Sequence, residues 1–263
     1  MALSKGWTLV NIMGPVYHLY SWYLWRQIKD NPKPTHIGII LDGNRRFAKQ
    51  QGQDAQFGHT VGAQRVEEVL DWCFEAGVKV VTIYAFSTEN FSRKRQEVKH
   101  IMAIAQERFE TIARSEVVHR HRVHVRAIGQ LSLLPRSLLT AIKSAEEVTA
   151  DYDNFQLNVA IGYGGRTEIV DAIKRIASKV QSGVLDPSSI TDSTVEQHLY
   201  TAGIADPELI IRTSGEERLS GFLLWQSAYS ELYFADIFWP EIRKIDFWRA
   251  IRIYQRRERR FGN

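Results

Sequence analysis

An apolar run at residues 36–41 leads directly into a polar turn, and this junction constrains the fold most. The run His36-Ile-Gly-Ile-Ile-Leu41 is rich in apolar residues, which is typical of a strand buried on both faces of a parallel sheet. The turn Asp42-Gly43-Asn44-Arg45-Arg46 follows at once. Because ligands of open α/β sheets bind at the carboxyl ends of the strands, the sequence predicts a ligand site at Asp42.

Strand-like and helix-like segments alternate along the rest of the chain, in an order typical of a mostly parallel sheet flanked by helices. We therefore predict an α/β fold with a central sheet of about six strands. The strand candidates are residues 36–41, 78–85, 122–128, 155–161 and 208–212. The helix candidates are residues 60–76, 95–118, 134–149, 165–181 and 245–259.

Length and composition agree with one main domain over residues 31–263, preceded by a distinct segment over residues 1–30. The 263 residues are 44% hydrophobic and 24% charged, which is enough chain for one sizeable core. The formal net charge of +4 suits an anionic ligand or membrane surface; nucleic acid is the weaker alternative, and we expect none. The single cysteine, Cys73, excludes an internal disulfide and a thiolate metal cluster, and is typical of a reducing, cytoplasmic setting.

The polar turn combines groups that suit a phosphorylated ligand. Gly43 lets the backbone approach a ligand closely, and the free N–H groups of the helix that follows favour an anion. Arg45 and Arg46 add forked donors for phosphate oxygens. The Asp42 carboxylate would repel that anion by roughly 4 kcal/mol per charge pair at 4 Å unless a cation lay between them, which implies Mg²⁺. An N-cap aspartate before an ordinary helix with two solvated arginines is the alternative.

The segment at residues 6–25 is aromatic and contains no Asp, Glu, Lys or Arg. Its length approaches that of a transmembrane helix, but Gly14-Pro15 interrupts it, and its tyrosines and tryptophans prefer the headgroup boundary. We expect an interfacial helix over residues 16–29 that makes peripheral contact with a membrane. A lid packed on the catalytic domain is the equal alternative.

Five sequence blocks and the end of the chain resemble the signatures of the cis-prenyltransferases, the undecaprenyl and dehydrodolichyl diphosphate synthase family. The blocks occur in the family order, and no two aspartates are adjacent, unlike the Asp-rich motifs of trans-type synthases. The Asp-Gly-Asn-Arg-Arg turn and the aromatic N-terminal segment are more similar to archaeal and eukaryotic members. The matching segments are residues 36–47, 57–63, 84–93, 157–166, 210–234 and 257–262.

The resemblance implies a reaction and a cofactor. An allylic prenyl diphosphate loses its diphosphate, isopentenyl diphosphate attacks the resulting cationic carbon, and loss of a proton leaves a new cis double bond. Mg²⁺ accompanies the diphosphates, and Asp42 and Glu231 match the positions linked to it. Two alternatives stay open: a noncatalytic subunit of a heteromeric enzyme, and prenyl transfer to another acceptor, such as a glycerol derivative or a second allylic diphosphate.

The resemblance also assigns residues to the two substrates. Asp42 and Asn90 take catalytic roles, and the general base is left unassigned. The terminal Arg260-Phe261-Gly262 is similar to the R-x-G tail of the family, in which Arg260 and Gly262 complete the site of a neighbouring subunit, so we expect a homodimer. The allylic diphosphate cradle comprises Asp42, Gly43, Asn44, Arg45, Arg46 and His59; Ser87, Asn90 and Arg93 position the reacting groups or assist proton removal; Arg212, Arg218 and Ser220 hold isopentenyl diphosphate.

Two departures from the bacterial pattern concern the allylic substrate. Arg45 stands where bacterial members carry glycine, and Ala55 stands where they usually carry a phosphate-binding arginine. We therefore expect that Arg45 compensates for the missing cation at residue 55.

An apolar product favours an internal tunnel, since each added five-carbon unit that leaves water contributes roughly 3 to 4 kcal/mol. An apolar stripe at helical spacing can supply its walls, although such a stripe is more often plain core. The candidate lining residues are Val66, Val69, Leu70, Ile101, Ile104, Ala105 and Phe109.

Overall fold

Six strands form a parallel sheet at the centre of the protein, in agreement with the predicted fold class. The computed structural model describes residues 5–257, with side chains from residue 14 onward. The strands are β1 (His36–Ile40), β2 (Val80–Ser87), β3 (Val123–Ile128), β4 (Phe155–Tyr163), β5 (Leu209–Thr213) and β6 (Glu231–Ala235). Their order across the sheet is β3-β4-β2-β1-β5-β6, and each neighbouring pair is parallel.

Helices connect the strands and cover the sheet. Within residues 5–257, short 3₁₀ helices also occur at residues 88–92, 131–133, 187–189 and 239–241. The helices are α1 (Lys5–Ile28), α2 (Asn44–Gln50), α3 (Ala55–Ala76), α4 (Arg95–Ile112), α5 (Glu116–His121), α6 (Arg136–Val148), α7 (Gly165–Gln181), α8 (Asp192–Glu196) and α9 (Lys244–Arg256).

The first strand is buried on both faces, as its apolar run predicts. Successive side chains of a strand point to opposite faces, and here Ile37 and Ile39 join the larger apolar cluster, whereas Ile40 joins a smaller cluster with Tyr84 and Phe222. Both faces of β1 are therefore covered, and its carboxyl end opens onto the turn at Asp42.

Several element boundaries differ from the predicted ones for local reasons. Helix α3 begins at Ala55 rather than residue 60 because the Asp54 side chain accepts a hydrogen bond from the Phe57 N–H and caps it. The predicted helix 95–118 is two helices, and Ser115 caps the second. Strand β6 is absent from the predicted strands; it is a short edge strand of five residues, most of them partly buried.

Helix α1 packs against α9. Leu24 and Ile28 are fully buried, and the rings of Trp25 and Trp248 lie 4.9 Å apart. The Arg249 guanidinium donates to the Tyr20 hydroxyl at 3.3 Å. Within residues 5–257, no helix combines the length and the apolar character that crossing a membrane requires.

Candidate active site

Asp42 and Arg212 meet where β1 and β5 end. The strands are neighbours, with Ile40 opposite Arg212 in the register, so the turn after β1 lies beside the Arg212 side chain. Arg212 Nη2 donates to Asp42 Oδ2 at 2.7 Å, and Arg212 Nη1 donates to Ser220 Oγ at 2.8 Å. The Arg212 side chain is only 5% exposed, whereas Asp42 is 30% exposed, so the cation of this pair is largely shielded from water and the carboxylate remains accessible.

Gly43 is the residue that the turn requires. Its φ of +105° favours glycine, and an added Cβ would lie 2.8 Å from the Phe238 ring. The Gly43 N–H donates to Asp42 Oδ1 at 2.7 Å. This backbone contact orients the carboxylate toward the cavity at the start of α2.

Arg46 extends from the first turn of α2 over the same edge of the sheet. Its Nη2 lies 3.6 Å from Asp42 Oδ1, and its Nη1 donates to Glu216 Oε1 at 3.1 Å. The Glu216 carboxylate also pairs with Arg218, whose side chain is 63% exposed. Glu216, which the sequence analysis did not single out, therefore links an arginine of the predicted allylic cradle to one of the predicted isopentenyl diphosphate site.

Glu97 forms a second centre of charge in the first turn of α4. His59 Nε2 lies 3.1 Å from Glu97 Oε1, the Arg93 guanidinium lies 3.3 Å away and Arg45 Nε lies 3.7 Å away. Burial lowers the pKa of His59, so the neutral ring donates its Nε2 proton to the carboxylate. Burial opposes ionisation of Glu97, but the His59 hydrogen bond and the two arginines outweigh it, and its pKa lies below the ordinary value.

The loop after β2 adds Ser87 and Asn90 to the same region. The Asn90 Oδ1 accepts a hydrogen bond from the Ser87 N–H at 3.2 Å, and the Ser87 side chain accepts one from the Asn90 backbone. This reciprocal cap is the ordinary structural role of such residues. It also holds both side chains at the cavity wall.

A polar cavity of about 940 Å³ brings most of the predicted site residues together. It opens at the carboxyl ends of the strands and has basic and acidic walls. The predicted residues that line it are Asp42, Gly43, Asn44, Arg45, Arg46, His59, Ser87, Asn90, Arg93, Arg212 and Ser220.

An apolar cavity of about 310 Å³ adjoins the polar one, and Leu41, Asn44 and His59 line both. It lies between α3, α4 and the sheet. Of the predicted tunnel residues, Val69 instead packs in the apolar core at 2% exposure. The predicted residues that line the apolar cavity are Val66, Leu70, Ile101, Ile104, Ala105 and Phe109.

Glu231 and Asp42 lie at opposite ends of the sheet, and a role of Glu231 at a metal ion stays a prediction. It begins β6, opposite Leu209 at the start of β5, whereas Asp42 follows the end of β1. Leu209 also pairs with Ile37 near the start of β1, so three strand residues, or about 10 Å, separate the level of Glu231 from Ile40, which precedes Asp42 by two residues. Glu231 instead pairs with Arg257 at 2.5 Å. The predicted Arg260 and Gly262 lie outside the described residues.

The family follows from comparison with known sequences. Residues 40–262 match the prenyltransferase family model described as "Putative undecaprenyl diphosphate synthase". The chain is a cis-prenyltransferase.

Related cis-prenyltransferases match almost the whole chain. The tritrans,polycis-undecaprenyl-diphosphate synthase (geranylgeranyl-diphosphate specific) of Methanopyrus kandleri is 54% identical over 94% of this chain and 92% of its own length. An isoprenyl transferase of Thermus thermophilus is 49% identical over 97% of this chain and 98% of its own length. The crystal structure of lavandulyl diphosphate synthase from Lavandula x intermedia with dimethylallyl diphosphate has a TM-score of 0.85 at 36% identity, covering 88% of this chain and 99% of that chain.

The possible metal ligands of this cis-prenyltransferase suit a cation that is bound mainly by the substrate. Among the described residues, no group of three or more His, Cys, Asp or Glu side chains could hold a metal ion. Asp42 supplies one carboxylate at the edge of the polar cavity, with guanidinium groups around it. Mg²⁺ typically binds one or two carboxylates together with substrate phosphates and water, so the residues present fit Mg²⁺ carried by a diphosphate.

Proposed function

We propose that this cis-prenyltransferase condenses isopentenyl diphosphate with an allylic prenyl diphosphate at the polar cavity and extends the product into the apolar cavity. One observation carries the proposal: Arg212, buried beside Asp42, also binds Ser220. A buried cation bound to a carboxylate and aimed at a cavity is suited to a second, anionic ligand. The relative from Methanopyrus kandleri supports geranylgeranyl diphosphate as an allylic substrate.

The proposed roles follow from the charges around the cavity. Arg45, Arg46 and the N–H groups at the start of α2 donate hydrogen bonds to the departing diphosphate and stabilise its charge. Arg212 and Ser220 hold the second diphosphate. Mg²⁺ held by Asp42 and the substrate would neutralise diphosphate charge as the C–O bond breaks.

The direct test measures incorporation of labelled isopentenyl diphosphate by the purified chain alone. Donors of five to twenty carbons are compared with magnesium and with EDTA, and the products are resolved by length. We expect magnesium-dependent incorporation with the twenty-carbon donor. No incorporation with any donor would contradict the proposal, and would favour a noncatalytic subunit or transfer to a different acceptor.

The chain also has a surface suited to peripheral membrane contact, which we propose for α1. Val16, Leu19, Trp22 and Tyr23 are 50–65% exposed on this helix, and the Arg26 guanidinium lies 4.9 Å from the Trp22 ring centroid. Aromatic and apolar side chains beside a basic residue are typical of interfacial helices. Release of a long apolar product into a bilayer gives this contact a role.

We also propose that this chain forms a homodimer. Its support is the terminal Arg260-Phe261-Gly262 element, which resembles the tail that completes a neighbouring site in this family. Molar mass from light scattering tests it. A monomer with full activity would contradict a role for the tail across an interface.

A further inference from the structure

A second polar cavity, of about 510 Å³, lies where α1 and α9 end. Just after α9, Arg257 pairs with Glu231, the first residue of β6, so this cavity lies near the amino ends of the strands. The candidate active site lies at their carboxyl ends, and among the described residues the two cavities share no lining residue. We call the second one the basal cavity; its lining residues are Gln27, Asn31, Pro32, Arg252, Tyr254, Gln255, Arg256 and Arg257.

The lining of the basal cavity is rich in hydrogen-bond donors. Of its eight described residues, three are arginines, three carry side-chain amides, and none is acidic. Arg257 is neutralised by Glu231. Arg252 instead binds an uncharged group, with its Nη1 donating to Gln27 Oε1 at 3.1 Å, and within residues 5–257 no carboxylate pairs with Arg252 or Arg256. The cavity therefore has two guanidinium groups without a counter-charge.

Arg252 also has a donor that the described chain leaves unsatisfied. Its Nε is buried, and within residues 5–257 it has no hydrogen-bond partner, which is unfavourable for a buried polar atom. The carbonyl groups that end α1 would repel an anion, but they already accept hydrogen bonds. The Gln255 amide donates to the Ile28 carbonyl at 3.1 Å and to the Asn31 carbonyl at 3.3 Å. An anion in this cavity therefore meets donors, and its oxygens would supply acceptors to the guanidinium groups.

The exposed face of α1 leads into the basal cavity. Leu19, Tyr23 and Gln27 follow one another at intervals of four residues, so they lie on one face of the helix. Leu19 and Tyr23 are 65% and 50% exposed, and Gln27 lines the cavity. A membrane lipid has the matching chemistry, because its phosphate lies at the interface beside an apolar layer that contacts such a helix. A free phosphate would use the cavity alone and leave the apolar face without a role.

We propose that the basal cavity binds the phosphate of an anionic lipid headgroup while the exposed face of α1 contacts the bilayer. The inference rests on the proposed membrane contact of α1, to which it adds a ligand and a site. Arg252 and Arg256 donate to the phosphate oxygens through their forked guanidinium groups. The amides of Gln27 and Asn31 add uncharged donors at the same wall.

The test measures binding of the full-length chain to phosphatidylcholine vesicles with and without phosphatidic acid. Arg252→Lys with Arg256→Lys keeps both charges but removes the forked donors, so general attraction to an anionic surface is retained. We expect the double variant to bind the phosphatidic acid vesicles about tenfold more weakly, as for the loss of a charge-assisted hydrogen bond. Arg26→Lys is the matched control, because Arg26 lies over Trp22 on α1 and does not line the cavity. We expect its binding to stay within twofold of wild type.

Three results would overturn the inference: vesicle binding by the double variant within twofold of wild type, an equal loss in Arg26→Lys, or a double variant that loses binding of inorganic phosphate but not of vesicles. The last result would indicate a site for free phosphate. Thermal unfolding shows whether each variant is folded. Should the double variant fail to fold, Arg256→Lys decides the matter alone, since that side chain is exposed. Failure of the proposed membrane contact is distinguishable, because the wild-type chain would then bind neither kind of vesicle.

Discussion

Arg212 binds Asp42 and Ser220 at once, through its two terminal nitrogens at 2.7 and 2.8 Å. The family resemblance assigns Asp42 to the metal and the allylic substrate, and Arg212 and Ser220 to isopentenyl diphosphate. In the structure these two sets are parts of one connected group of charges. Binding of either diphosphate therefore changes the surroundings of a side chain that serves the other.

Replacing Asp42 by asparagine tests this connection. We expect turnover to fall about 10²- to 10³-fold, a loss typical of removing one preorganised group that stabilises the transition state. Because Arg212 loses its counter-charge, we also expect about 2 kcal/mol of lost stability, less than for a fully buried pair since Asp42 is 30% exposed. Isopentenyl diphosphate incorporation and urea unfolding measure the two effects. Asp54→Asn is the matched control, because asparagine caps α3 as well as aspartate does; equal turnover in both variants would contradict the assignment.

Arg45 and Ala55 line the same polar cavity, as compensation between them requires. We expect Arg45→Gly to weaken binding of the allylic substrate about tenfold, near the lower end for a charge-assisted hydrogen bond because the side chain is 61% exposed. Adding Ala55→Arg should restore the affinity. Substrate titration of the single and double variants measures this, and Arg45→Ala controls for the helix cost of glycine. Equal affinity in wild type and Arg45→Gly would remove the compensation hypothesis.

Glu97 is expected to act by positioning His59, Arg93 and Arg45, which it contacts from α4. In Glu97→Gln the amide oxygen can still accept the His59 hydrogen bond, but both arginines lose a shared counter-charge. We expect kcat to fall about tenfold, in line with one charged hydrogen bond, with the fold retained. Steady-state kinetics measure the change, and Glu107→Gln, an exposed position on the same helix, is the control. Unchanged kinetics would leave Glu97 a purely structural residue.

The parts of the site that can be predicted from the sequence are those formed by residues close together in the chain. The apolar run of β1, the glycine after Asp42 and the arginines of α2 are contiguous, and strand period and turn chemistry determine their arrangement. Parallel packing of the strands then brings Arg212 to the same edge of the sheet. Local pattern is therefore enough to predict the fold class and the turn at Asp42, whereas the other residues of the cavity wall are predicted from the family resemblance.

The parts that the sequence does not predict depend on contacts between distant residues. Glu97 reaches His59 across 38 positions, from another helix. Arg93, which Glu97 also contacts, lies just before α4, so helical spacing does not indicate this pair beforehand. The position of Glu231 relative to Asp42 is another example, because only the pairing of β6 with β5 shows which end of the sheet Glu231 occupies. Strand β6 itself is only five residues long, and most of its side chains are partly buried at the edge of the sheet.

Membrane contact through α1 is best tested with point variants. Removing residues 1–30 would also uncover Trp248, against which Trp25 packs. We expect Leu19→Ser with Trp22→Ser to reduce binding to anionic vesicles by at least tenfold, because each large apolar side chain contributes about 1.5 to 3 kcal/mol when it leaves water. Vesicle co-sedimentation measures the binding, and Leu133→Ser, 50% exposed on another element, is the control. Undiminished vesicle binding by the double variant would indicate that α1 only packs against the rest of the protein.

His36 predicts how the stability of the fold depends on pH. The ring is 1% exposed at the start of β1; its Nδ1–H donates to the Ala205 carbonyl at 2.5 Å, and its Nε2 accepts from the Thr82 hydroxyl at 2.8 Å. Burial lowers the pKa of His36 from 6.5 to about 4. Between these pH values the unfolded chain binds a proton that the folded protein does not. The titration of His36 therefore leaves the free energy of unfolding unchanged above pH 6.5 and decreases it as the pH falls toward 4.

The expected loss is about 3 kcal/mol, from the size of the pKa shift. Urea unfolding at pH 7, 5.5 and 4.5 measures it. His36→Asn should be less stable at pH 7, because the packed ring is lost, and should lose less stability as the pH falls, because the titrating group is gone. His18→Asn, an exposed substitution on α1, controls for the removal of one imidazole. Equal slopes for wild type and His36→Asn would show that the buried ring does not couple protonation to folding.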